Sequence, residues 1–127
     1  MLFRSVDGDS RHQVIRDLLA NPRLQGVPVP VSAGGVEQAK LQGGINAVQA
    51  GDPAQDTADF EDRQVGNLRL DYVLPSVDLP IERSGVFWPT ASDPRFALVG
   101  TYPFPVSDHR PVWVDVSFAA RSDGSVQ

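Results

Sequence analysis

Ser107-Asp108-His109-Arg110-Pro111 runs directly into Val112-Trp113-Val114-Asp115-Val116-Ser117-Phe118. Val112, Val114, Val116 and Phe118 alternate with Trp113, Asp115 and Ser117, the period-two pattern of a half-buried strand. Pro111 has no N–H to donate and suits the first position of such a strand. Asp108 and His109 therefore fall on the loop that feeds a rigid sheet, where chemistry is commonly mounted. Neighbouring side chains on extended backbone point to opposite faces, so at least one of the two meets a cleft or solvent.

A second stretch, Asn67-Leu68-Arg69-Leu70-Asp71-Tyr72-Val73-Leu74-Pro75-Ser76, reads as a strand with Leu68, Leu70, Tyr72 and Leu74 on one face. Arg69, Asp71 and Val73 take the other. A carboxylate in mid-strand is costly to bury without a partner. The chain has only two histidines, His12 and His109. An Asp on one strand that holds an imidazole on another fixes its tautomer and ring angle. Asp71 is thus expected to accept a hydrogen bond from His109. The competing reading pairs Asp71 with Arg69 or Arg110.

Taken together, Arg69-Leu70-Asp71-Tyr72-Val73-Leu74 and Ser107-Asp108-His109-Arg110-Pro111-Val112 resemble the C-terminal half of the endonuclease/exonuclease/phosphatase superfamily, the DNase I-like metal-dependent phosphoesterases. The resemblance covers about Val6 to Phe118 and is weakest between Gly26 and Asp62. It implies an α+β fold: the C-terminal half of a four-layer α/β/β/α sandwich, with mostly antiparallel sheet and flanking helices. It implies a parent enzyme that hydrolyses phosphodiesters or phosphomonoesters with Mg2+, or Mn2+ or Ca2+. His109, Asp108 and Asp71 become catalytic residues, with Asp108 also at the metal and His109 on phosphoryl oxygens or the proton. Asn67 and Arg69 become candidate substrate contacts.

The family's Gly-Asp-x-Asn motif, its metal-binding Glu and its first active-site His have no counterpart here. Leu2-Phe3-Arg4-Ser5 stands where the Gly-Asp-x-Asn strand end belongs, and a common adaptor end translates to those residues. Residues 1–5 are accordingly expected to be a non-native leader, 6–119 a partial domain and 120–127 a disordered tail. The N-terminal half of the domain becomes the expected partner, and the fragment alone is expected to be inactive. It is also expected to expose an apolar face and to aggregate or dimerise. The alternative is a non-enzymatic module that binds through an open sheet face.

The remaining chain is consistent with one domain or part of one, at 127 residues. A net charge of −5 argues against a broad nucleic-acid surface, although a bound cation would still admit a phosphate ester. The absence of cysteine excludes disulfides and thiolate metal sites. No apolar run is long enough to span a membrane. Residues 1–9 lack the apolar stretch of a signal peptide.

Ser10 and Gln13 form a capping box ahead of a helix with Val14, Ile15, Leu18 and Leu19 on one stripe, ended by Asn21-Pro22. His12 reads as a solvated residue of its first turn. Gly26 to Gly35 reads as loop and Val36 to Gln42 as a short helix. Gly51 to Gly66 is polar and acidic, and reads as a solvated surface loop. Within it, Asp56-Thr57-Ala58-Asp59-Phe60 reads first as a capped turn, and only second as part of a substrate or metal environment. Ile81 to Trp88 reads as a strand weakened by Gly85, Phe87-Trp88-Pro89 as core, and Thr90 to Val106 as a long loop.

Overall fold

A computed structural model describes residues 14–26 and 28–118. The expected leader, the capping box at Ser10 and Gln13, His12 and the expected tail lie outside the described residues. Two α-helices and two small antiparallel sheets, joined by irregular segments and 3-10 turns, make an α+β fold.

Helix α1 spans Val14–Leu19 and buries none of its residues. Val14 and Leu18, half of its apolar stripe, are exposed. Helix α2 spans Ala33–Gln42 and starts three residues earlier than its apolar pattern suggests. Ser32 caps it, accepting a hydrogen bond from Gly35 N at 3.1 Å. Gly34 makes the early start possible. A Cβ there would lie 2.1 Å from the carbonyl oxygen of Trp88, and its N–H donates to that oxygen at 3.0 Å. The helix begins in Gly-Gly because its first turn is pressed against another segment's backbone.

Strand β1 (Ala58–Asp59) pairs antiparallel with β2 (Asn67–Leu68), Ala58 opposite Leu68 and Asp59 opposite Asn67. On its other side β1 meets the Asp108–Arg110 segment. Asp59 N donates to Asp108 O at 2.9 Å, Arg110 N to Thr57 O at 2.7 Å, and Ala58 bridges His109. Strand β3 (Ile81–Val86) pairs antiparallel with β4 (Val112–Val116), with a register shift between Ile81 and Arg83.

Residues 56–59 thus correct the expected surface loop: Asp56, Thr57, Ala58 and Asp59 are all buried, because this segment has a backbone partner on each side. The expected strand over 67–76 is corrected too. Only Asn67–Leu68 join a ladder, and the next bridge along the chain is that of Ser76 to Leu24.

The apolar core gathers Val86, Trp88 and Val99, with Phe87, Phe96 and Val112 packed around them. Phe87-Trp88 is core as expected. In β4 the alternation is only partly realised, since Phe118 is exposed and outside the strand. Gly85 has a local reason. It lies opposite Trp113, and a Cβ there would meet the indole ring at 2.7 Å. The indole lies across the bare backbone, so the small residue gives the ring its seat.

Candidate active site

The three-segment meeting around β1 places the functional groups. Asp71 lies just beyond β2, and His109 sits in the bridge to Ala58, so both are anchored to β1. His109 Nδ1 and Asp71 Oδ2 are 2.8 Å apart, a hydrogen bond between half-exposed groups. Of the pairings open to Asp71, the one to the imidazole is thus made. Arg110 instead faces Asp59, at 3.4 Å.

Thr57 supports the pair from beneath. Its hydroxyl donates to Asp71 Oδ2 at 2.8 Å and accepts from the Leu70 and Asp71 backbone N–H groups at 2.9 and 3.0 Å. The Ser107 hydroxyl accepts from His109 N at 3.0 Å and shapes the turn before the imidazole. Phe60 meets the imidazole edge to face, with centroids 6.1 Å apart. Asp71 and His109 line an open depression of about 400 Å3 with Tyr72, Val73, Ser107 and Pro111.

Asp108 points elsewhere. Its side chain lines a second hollow of about 450 Å3, with Asp59, Phe60, Glu61, Asp62 and Phe104. The adjacent Asp108 and His109 thus serve two neighbouring hollows, as alternation along extended backbone requires. Asn67 and Arg69 line neither of them. Asn67 is fully enclosed, its side-chain amide donating to Gln42 Oε1 at 2.8 Å. Arg69 is buried, its guanidinium 4.5 Å from the Tyr72 ring centroid.

Beneath the second hollow lies a buried polar cluster. Gln42 Nε2 donates to both Asp59 oxygens, at 2.9 and 3.0 Å. Arg110 is fully buried between aromatic rings, 4.6 Å from the Trp88 centroid and 5.0 Å from that of Phe104. It also donates to Ser107 O at 2.9 Å. Burial pushes the Asp59 carboxyl pKa up, against the Gln42 hydrogen bond and the Arg110 charge. Burial likewise lowers that of Arg110.

Gln42 is the contributor that the sequence pattern misses, and Thr57 and Asp59 are ones that it ranks first as turn residues and only second as part of a site. Thr57 and Asp59 sit in a run of turn-forming residues, and Gln42 ends a helix elsewhere in the chain.

A divalent cation sets a demanding standard for this donor set. Mg2+ requires near-octahedral oxygen coordination. Among the described residues no three Asp, Glu, His or Cys side chains converge to hold a metal. Asp59 is engaged by Gln42 and Arg110. Asp108 alone does not make a site, so the described residues do not fit a resident cation by themselves.

The His109–Asp71 pair is mounted on the sheet around β1, with Asp108 next to it in the chain. The model of the Endonuclease/Exonuclease/phosphatase family matches residues 5–109, and the chain belongs to that family. No curated protein and no solved structure matches the chain. Phosphoester hydrolysis is the family's general chemistry, and its members are generally dependent on a divalent metal. Among the described residues no helix is long and apolar enough to cross a membrane.

Proposed function

We propose that this chain is the C-terminal portion of a metal-dependent phosphoesterase, with the layout of one half of a four-layer α/β/β/α sandwich. The observation that supports this best is the 2.8 Å contact between Asp71 and His109 within the matched family segment. In this reading His109 contacts a phosphoryl oxygen or handles the proton. Asp71 orients it, and Thr57 holds Asp71. Asp108 would contribute to a Mg2+ site, directly or through water, only once the family's N-terminal half supplies the rest of the shell (Mn2+ and Ca2+ share the same hard-oxygen preference). Asn67 and Arg69, both buried, belong to the scaffold. The substrate is a phosphate ester.

A site with one carboxylate ligand does not hold a metal and a water in register, so the chain alone is inactive in this reading. The test is hydrolysis of bis(p-nitrophenyl) phosphate with Mg2+. It compares the 127-residue chain with the same chain extended by an N-terminal half from the family. Turnover is expected only from the extended protein, and His109→Ala should lower its kcat by about 10²- to 10⁴-fold. Undiminished turnover in that variant would overturn the role of His109. Metal-dependent hydrolysis by the chain alone would overturn the incomplete site.

A further inference from the structure

We propose that Thr57 is a positioning residue that sets the His109 tautomer, an inference that rests on the phosphoesterase reading for its purpose but not for its geometry. The Thr57 hydroxyl receives two backbone N–H groups, Leu70 N at 2.9 Å and Asp71 N at 3.0 Å. Its lone pairs are thereby occupied, and its one proton goes to Asp71 Oδ2 at 2.8 Å. That same oxygen lies 2.8 Å from His109 Nδ1. Thr57 is 1% exposed, so water does not compete for its proton.

The chain of donors has one sense. An ionised carboxylate oxygen only accepts, and because Thr57 is forced to donate to this one, it cannot carry a proton of its own toward His109. Nδ1 must then carry the imidazole proton, and Nε2 is left as the lone-pair nitrogen. Thr57 is β-branched and held by two backbone amides from the Asp71 segment, so the hydroxyl is fixed relative to the carboxylate that it orients. In a phosphoesterase this delivers His109 with Nε2 ready to take a proton or meet an acidic oxygen.

The experiment uses imidazole 15N shifts in the full chain carrying His12→Gln, which leaves one imidazole. It is run at alkaline pH, where the 15N shifts themselves identify the neutral ring. The expected spectrum is predominantly the Nδ1–H form. Asp71→Asn is the sharper arm. A free Asn side chain would turn its NH2 toward Nδ1 and produce the Nε2–H form. With the Thr57 hydroxyl demanding an oxygen, the amide oxygen stays in place and Nδ1–H persists. Adding Thr57→Val should release the amide and move the tautomer ratio about tenfold toward Nε2–H, while Thr57→Ser should not.

Predominant Nε2–H in the parent spectrum, or in Asp71→Asn alone, overturns the proposal. So does an unchanged ratio in a folded Thr57→Val/Asp71→Asn protein. If that double variant fails to fold, the Asp71→Asn spectrum decides. No metal or substrate enters the measurement, so its failure is distinguishable from a failure of the phosphoesterase reading, which hydrolysis decides.

Discussion

The side chain of Arg110 is fully buried, whereas that of its neighbour His109 is 43% exposed. Around Arg110 the molecule has placed two aromatic rings, a carboxylate and two carbonyls, and Gln42 clasps the same carboxylate. Around His109 it has placed one carboxylate and one ring edge, and left the rest open. The polar groups of the first region are enclosed because together they tie β1, β2, helix α2 and the Asp108–Arg110 segment into one unit. Those of the second are held on one side only, which leaves the imidazole accessible. The difference separates polar residues that build the platform from polar residues that stand on it.

Removing a partner inside the platform should have the largest effect. Arg110→Met leaves Asp59 buried without its cation and is expected to cost about 3 kcal/mol of stability, read from a urea unfolding midpoint. Asn67→Ala comes next. It removes a fully buried side chain and strips the half-buried Gln42 Oε1 of its donor, and should cost about 1–2 kcal/mol by the same measurement.

Acidity probes the same contrast more gently. The Asp59 carboxyl pKa is raised in the folded chain above its ordinary value of 3.8. The folded state therefore binds the proton more tightly than the unfolded one. This group's contribution to stability is largest below 3.8 and is lost as pH rises through its raised folded value. Asp59→Asn should flatten that part of the stability-versus-pH curve; a variant curve parallel to the parent's would remove Asp59 as the cause.

The smallest effect belongs to the exposed pair. Asp71→Asn should change stability by no more than about 1 kcal/mol, because the amide oxygen still takes the buried Thr57 proton and the half-exposed contact to the imidazole is partly replaced by water. A loss as large as that of Arg110→Met would erase the distinction between platform and site.

Much of the exposed pair was legible in the sequence, and little of the platform. Asp71 stands out as a charge amid Leu68, Leu70 and Leu74, and His109 as an imidazole at a strand mouth, so each signals itself locally. The placement of Asp108 on the neighbouring hollow also accords with simple alternation. Asp56, Thr57 and Asp59, by contrast, look like turn formers, and the groups that bury them come from distant positions: Gln42 on helix α2, and the backbone of residues 108–110. Satisfaction of buried polar groups is a property of three-dimensional neighbours, and composition does not display it. The early start of helix α2 was hidden for a related reason. Gly34 and Gly35 read as helix breakers, but Gly34 is required by the close approach of the Trp88 carbonyl. Strand β2 stops after two residues because Thr57 Oγ1 takes the Leu70 and Asp71 N–H groups that a longer ladder would have used.

The indole seated across Gly85 gives the molecule two distinguishable optical reporters. Trp113 is 40% exposed on the β3–β4 ribbon, while Trp88 is 2% exposed against the Arg110 guanidinium. Acrylamide should quench the first readily and the second poorly. Loosening of the ribbon and collapse of the enclosed cluster can therefore be followed as separate colours of one emission band.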